Sequence, residues 1–167
     1  MPWSTEDTRP AEPVLGDPAS LSALAAVLRR TAADLDAALE RLPLGSVQER
    51  RHHRRLRALH DRGTSVTASM ERTGHRLAEH AADLADALGL AQRIVQRADS
   101  LGLRVDGPLV TRPGGVRGVA DAQTERSRDD AVQRLQRVLD AVLLDLDARR
   151  GVLRADLDSE HDARASR

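Results

Sequence analysis

Residues 56–101 decide the fold, and they read LRALHDRGTSVTASMERTGHRLAEHAADLADALGLAQRIVQRADSL. Two rows of positions, a and d, run through this stretch with a period of seven residues, which is the heptad pattern of packed helices. About six heptads predict one long helix, and small or polar residues at several positions favour close packing on another helix over a stand-alone leucine zipper. Row a is Leu56, Gly63, Met70, Leu77, Leu84, Ala91 and Ala98, and row d is Leu59, Val66, Thr73, His80, Ala87, Ile94 and Leu101.

A shorter amphipathic helix is predicted before the long one. Asp17 followed by Pro18 is a typical helix start, since aspartate accepts from free amides and proline is preset for the first turn. Leucines and alanines then recur at helical spacing until Pro43 and Gly45. Residues 46–49, with the pattern Ser-x-x-Glu, match a capping box that starts the long helix. Gly63 and Gly74 are expected bend points within it.

The chain changes character after the long helix. Asp106-Gly107 lies between two short runs rich in β-branched and aliphatic residues, which predicts a β-hairpin at about 103–112, kept short by Pro108. A third helix is predicted from about Asp121. Its apolar stripe consists of Val132, Leu135, Leu139, Val142, Leu143, Leu146, Leu153 and Leu157.

These elements predict an all-α fold. We expect an elongated antiparallel bundle of three amphipathic helices at about 18–42, 47–101 and 121–157, with the hairpin between the second and third. Residues 1–16 hold three prolines and are predicted to be a disordered leader, while residues 158–167 are predicted to be a frayed polar tail.

Composition narrows the class of protein. The chain has 167 residues, no cysteine and a formal net charge of zero, so disulfides and thiolate metal sites are excluded and a phosphate-binding role is disfavoured. Trp3 is the only aromatic residue, which removes stacking platforms for single strands. No apolar run approaches the roughly 20 residues that span a bilayer, and no cleaved signal peptide is visible. We expect a cytoplasmic protein, or one secreted without a cleaved signal peptide.

The sequence predicts no enzyme activity, no cofactor and no metal site. Glu71, His75 and Glu79 are four residues apart and could chelate a metal, but a charged solvent-facing stripe is the favoured interpretation. His80, in row d, is expected to be a core histidine with a hydrogen bond. Residues 112–118 contain glycines but lack the Lys-Ser/Thr ending of a phosphate loop, so they are predicted to form a turn.

A basic patch opens the long helix. It consists of Arg50, Arg51, Arg54, Arg55 and Arg57, and His52 and His53 lie within it. The arginines could meet phosphates or acidic lipids. On a neutral protein, a solvated face or an ion-pairing surface for an acidic partner is favoured. A metal at the two histidines is disfavoured because the arginines repel a dication.

Residues 16–36, with their leucine and alanine rhythm, resemble the opening helix of actinobacterial Trp-x-Gly helical-hairpin proteins, the small substrates and partners of type VII secretion. Residues 55–59 and 81–90 resemble the long second helix of larger relatives, and residues 101–107 and 118–121 resemble their hairpin and third-helix start. The absence of lysine, asparagine, phenylalanine and tyrosine is likewise typical of a GC-rich genome, such as that of an actinobacterium.

Two departures from that family affect what the resemblance implies. The turn at residues 42–46 has a glycine but no tryptophan, and the family's tyrosine-based export signal cannot exist in a chain without tyrosine. The resemblance therefore implies the partner that lacks the signal, or a protein that is not exported.

The leading functional hypothesis is a non-catalytic interaction protein that pairs with another helical-hairpin protein, as a type VII secretion substrate or adaptor. Alternatives are a self-assembling coiled-coil protein and, third, a binder of nucleic acid or acidic membrane through the basic patch. The predicted partner interface is Leu56, Leu59, Val66, Met70 and Leu77.

Overall fold

The computed structural model describes residues 11–42, 50–112 and 122–165, with side chains described except at 50–53, 122 and 163–165. Three helices are present: α1 (Pro18–Glu40), α2 (Arg50–Ser100) and α3 (Ala122–Ala165). Strands β1 (Arg104–Asp106) and β2 (Leu109–Thr111) form an antiparallel hairpin between α2 and α3. The predicted all-α three-helix fold with a small hairpin is confirmed. In the described parts of the chain, no helix is long and apolar enough to cross a membrane.

The chain divides into two compact units. Unit 1 contains residues 11–16 and 84–149 of the described chain, and unit 2 contains residues 17–83 and 150–165. Both long helices, α2 and α3, contribute a segment to each unit.

The core of unit 1 lies between the end of α2, the hairpin and the first part of α3. Ala98 and Leu139 are completely buried there. The side-chain amide of Gln136, in α3, makes two hydrogen bonds to the hairpin. Its Oε1 accepts from the Val110 amide at 2.7 Å, and its Nε2 donates to the Pro108 carbonyl at 2.8 Å. The other buried members of this core are Ile94, Leu103, Val105, Val110 and Ala131.

The turn of the hairpin lies one residue later than its sequence predicts. Asp106 pairs with Leu109 within the ladder, so the turn residues are Gly107 and Pro108. Gly107 has a φ of 54°, a conformation that glycine adopts at little cost. Pro108 therefore occupies the loop, where its missing N–H breaks no ladder hydrogen bond.

Residues 11–16 do not behave as the disordered leader that was expected. The Ala11 amide donates to Asp106 Oδ1 at 3.0 Å, and the Ala11 carbonyl accepts from the Gly107 amide at 2.8 Å. Val14 is only 2% exposed. The hairpin thus anchors this segment through the Asp106 carboxylate and the Gly107 amide, while residues 1–10, including Trp3, lie outside the described residues.

Helix α1 begins unit 2 with a capped first turn. Asp17 Oδ1 accepts from the amides of Ala19 at 2.9 Å and Ser20 at 3.2 Å. The Ser20 hydroxyl and these two amides hold the pKa of Asp17 below its ordinary value of 3.8. A carboxylate at this position satisfies donors that have no partner within the helix.

Helices α1 and α2 run antiparallel and approach closely at two glycines. Leu39 packs over Gly63, and Ala25 packs over Gly74 further along α2. Helix α2 continues through both glycines, which were expected to bend it. Both are points of contact, because a missing Cβ lets the neighbouring helix approach.

Candidate interaction surface

A cluster of polar side chains joins α2 to the last turns of α3 in unit 2. Glu160 accepts hydrogen bonds from Ser69 Oγ at 3.2 Å, Thr73 Oγ1 at 3.1 Å and Arg72 Nε at 3.3 Å. Its side chain is 16% exposed, so the carboxylate is largely removed from water. The cluster therefore fixes which turn of α3 faces which turn of α2.

Arg76 adds a second basic group to this contact. Its NH1 lies 3.3 Å from Asp156 Oδ2 and 3.8 Å from Glu160 Oε1. Burial raises the pKa of Glu160, but the hydrogen bonds from Arg72, Thr73 and Ser69 and the charge of Arg72 outweigh it and hold that pKa below 4.5. Acidic groups of α3 thus meet basic groups of α2.

The last turns of α3 differ from the frayed tail predicted for residues 158–167, since α3 continues to Ala165. Glu160 lies in the same heptad row as Leu139, Leu146 and Leu153. At Glu160 this row lies in the contact between α2 and α3, where Glu160 has polar hydrogen-bond partners. The spacing of seven residues from Leu153 indicated that Glu160 continues the row, but the polar composition after Asp158 concealed this signal.

We expect Glu160→Gln to destabilise unit 2 by about 1–2 kcal/mol at neutral pH, because the carboxylate loses charge-assisted hydrogen bonds. Since folding lowers the pKa of Glu160, its contribution is fully present above 4.5 and is lost as the pH falls through the lower folded-state value. Denaturant unfolding at several pH values should therefore show the wild-type advantage shrinking in acid.

The matched control is Asp158→Asn, which removes an exposed carboxylate two residues away on the same helix. We expect it to change the free energy of unfolding by less than about 0.5 kcal/mol. An advantage of wild type over Glu160→Gln that stays constant into acid would contradict the role given to the Glu160 carboxylate.

The surface of α2 that meets α3 continues toward the start of α2. Thr73 lies in row d, and Ser69 and Arg76 lie in row g, one residue before row a. One to three heptads earlier, the same two rows carry Arg55, Leu59, Arg62 and Val66, which we name the open seam.

This seam is exposed in the described structure. Leu59 is 55% exposed and Val66 is 45% exposed, although both occupy row d. Leu59 lies ten residues before Ser69, about 15 Å along α2, whereas the described part of α3 extends about 7.5 Å beyond Glu160.

The five predicted interface residues fall on two sides of α2. Leu56, Met70 and Leu77 belong to row a and are half-buried. Row a faces α1, as the contact between Gly63 and Leu39 shows. Leu59 and Val66 are the two members of the predicted set that remain exposed.

The basic patch shares Arg55 with the open seam. Arg54, Arg55 and Arg57 are exposed, and the side chains of Arg50 and Arg51 lie outside the described ones, as do those of His52 and His53. Within the described residues, no carboxylate forms a salt bridge with Arg54, Arg55 or Arg57.

The histidines supply no metal site among the described residues, which contain no group of three or more potential ligands. His75 Nε2 lies 3.4 Å from Glu79 Oε1, with both side chains mostly exposed, and Glu71 is exposed as well. His80 is half-buried as expected of a row d residue, but its buried Nδ1 has no hydrogen-bond partner in the described structure, contrary to the expectation of a satisfied core histidine.

Unit 1 contains a group of ion pairs at Arg112 and a cleft. Arg112 NH1 contacts Glu125 Oε2 at 2.7 Å, and Arg112 also pairs with Asp129, whereas residues 113–118 of the glycine-rich turn lie outside the described chain. A mostly apolar cleft of about 350 Å³ is lined by residues 11–14, the α2 segment 88–96 and Val105. Its polar side chains are Glu12, Gln92 and Gln96.

Comparison with known proteins identifies no relative. No protein-family model matches the chain, and no significant match to a curated protein or to a solved structure is found. Interpretation of function therefore depends on the geometry of the open seam and on the residues around it.

Proposed function

We propose that the chain is a non-catalytic helical interaction protein that receives a helix of another protein on the open seam. The observation that carries this proposal is the exposure of Leu59 and Val66, at 55% and 45%, in the row that α3 covers further along α2. The two side chains are one heptad apart, so a single partner helix can contact both.

Energetics support a docking role for this surface. Isolated exposed aliphatic side chains are ordinary, but Leu59 and Val66 lie in one heptad row that continues into a packed helix contact, and together they form a packing site. Covering apolar surface contributes about 25 cal/mol per Å², and α2 already presents the two residues on a regular helix. Little conformational order is lost on the receiving side.

The resemblance to type VII secretion proteins makes the proposal more specific. In that family small helical hairpins act in pairs, and a sequence without tyrosine fits the partner that lacks the export signal, or a protein that is not exported. We therefore propose an adaptor or partner protein of a type VII-like secretion locus in an actinobacterium.

The test is affinity purification of the tagged chain from its own host, with copurifying proteins identified by mass spectrometry. Recovery of a second small helical-hairpin protein or of secretion machinery supports the proposal. The variant Leu59→Gln with Val66→Gln should lose that protein, whereas Val152→Gln, which changes a residue 64% exposed on α3, should retain it.

Self-assembly is the second candidate, and exposed leucines away from the seam favour it. Leu144 is 73% exposed and Leu109 is 57% exposed, both in unit 1. Recovery of the chain alone, at a stoichiometry above one, would favour this candidate. A melting temperature that rises with protein concentration would be its signature.

A further inference from the structure

We infer that the open seam is specific for an acidic amphipathic helix of another chain, with apolar side chains on Leu59 and Val66 and carboxylates on Arg55 and Arg62. The inference rests on the proposed function and adds the chemistry of the partner.

The contact between α2 and α3 provides the pattern for this recognition. Arg76, in row g, lies within 3.3 Å of Asp156 and 3.8 Å of Glu160. Arg62 and Arg55 occupy row g two and three heptads earlier. A helix that continued along the track of α3 would place its carboxylates against them in the same way.

The two arginines are available for such a partner. Both are exposed, and neither has a salt bridge to any residue that the structure describes. Guanidinium groups bind carboxylates bidentately, which gives orientation as well as attraction.

Local charge points to the same partner. Residues 50–70 contain six arginines and a single acid, Asp61, although the whole chain is neutral. Complementary charge accelerates association and excludes partners of the same sign. The aliphatic pair Leu59 and Val66 at the centre of the surface favours a helix over a phosphate backbone, which has no apolar group to place there.

A second copy of this chain is a poor occupant of the seam in a symmetric arrangement. A two-fold contact between two open seams would bring Arg55 and Arg62 of one copy toward the same residues of the other. Like charges at such a distance repel, and a contact of that kind would need an additional anion.

The experiment uses the full chain and two synthetic helical peptides of about four heptads, each with leucine in rows a and d. One peptide carries glutamate in rows e and g, and the other carries lysine there. Binding is measured by fluorescence anisotropy at low and at moderate salt. We expect the glutamate peptide to bind at least about tenfold more tightly than the lysine peptide, and salt to weaken its binding.

Two double variants separate the apolar and charged parts of the surface. Leu59→Gln with Val66→Gln should abolish binding, and Arg55→Gln with Arg62→Gln should weaken it about tenfold and reduce its salt dependence. All four residues are exposed, so circular dichroism should show unchanged helix content. Val152→Gln, at a residue of α3 in the same unit, is the control and should bind like wild type.

Equal binding of the two peptides, or binding that the seam variants leave unchanged, would overturn the inference. Failure of the glutamate peptide to bind at about 100 μM would overturn it as well. Each of these results is distinguishable from failure of the proposed function, because affinity purification would still recover a partner protein that depends on Leu59 and Val66.

Discussion

Replacing Leu139 with alanine should lower the free energy of unfolding by about 2–5 kcal/mol, one of the two largest effects that we expect in this protein. Leu139 is completely buried in unit 1, in a core that it shares with Ala98, Leu103, Val105 and Val110. A core without aromatic rings has few large side chains that could move into the cavity.

Urea unfolding monitored by circular dichroism measures the effect, and Leu144→Ala provides the matched control. Leu144 is 73% exposed on the same helix, so its truncation should change stability by less than about 0.5 kcal/mol. Leucine and alanine are both strong helix formers, so the difference between the two variants reports packing. Equal losses for the two variants would show that Leu139 does not occupy the core position described.

The fold was predictable because the heptad spacing of the apolar residues is clear, although the composition of the chain is unusual. Row a and row d mark α2 over its length, and the leucine stripe marks α3 as far as residue 157. The hairpin was predictable from Asp106-Gly107, although its register was shifted by one residue, since Pro108 is better accommodated in the turn than in the ladder.

The candidate site was only partly predictable. The heptad pattern identified Leu59 and Val66 as packing residues, but a pattern on one helix does not show where its neighbour ends. Their exposure, at 55% and 45%, depends on where the described part of α3 packs on α2, with Glu160 opposite Ser69 and Thr73. That packing is a long-range fact, and the polar composition after Asp158 predicted a frayed end.

The anchoring of residues 11–16 could not be predicted for a related reason. The backbone groups of Ala11 bond to the Asp106 carboxylate and to the Gly107 amide, 95 and 96 residues away in the sequence. No side-chain periodicity reports such a contact. Val14 is buried. A single valine among prolines and acids, however, forms no pattern that predicts packing.

Replacing Gly74 with valine should destabilise unit 2 by about 1–3 kcal/mol, although helix propensity alone predicts stabilisation. A Cβ at residue 74 would lie 3.0 Å from the Ala25 carbonyl oxygen and 2.9 Å from Arg29 Cγ. The arginine side chain can move, but the carbonyl belongs to the backbone of α1. Helix α1 must therefore shift away from α2, and contacts along the buried row Ala25, Ala32 and Leu39 would loosen.

The matched control for Gly74 is Gly151 in α3, where an added Cβ would meet nothing within 4 Å beyond the local backbone of its own helix. Gly151→Ala should stabilise the protein by about 0.5–1 kcal/mol through reduced backbone entropy of the unfolded chain. Gly74→Ala should fall between wild type and Gly74→Val, because a single methyl group meets the carbonyl without branching. Thermal melts of wild type, Gly74→Val, Gly74→Ala and Gly151→Ala compare the stability gained from helix propensity with the stability lost from crowded packing. If both glycines gained stability on substitution, Gly74 would be an ordinary helix position, and the close approach of α1 to α2 would have to be abandoned.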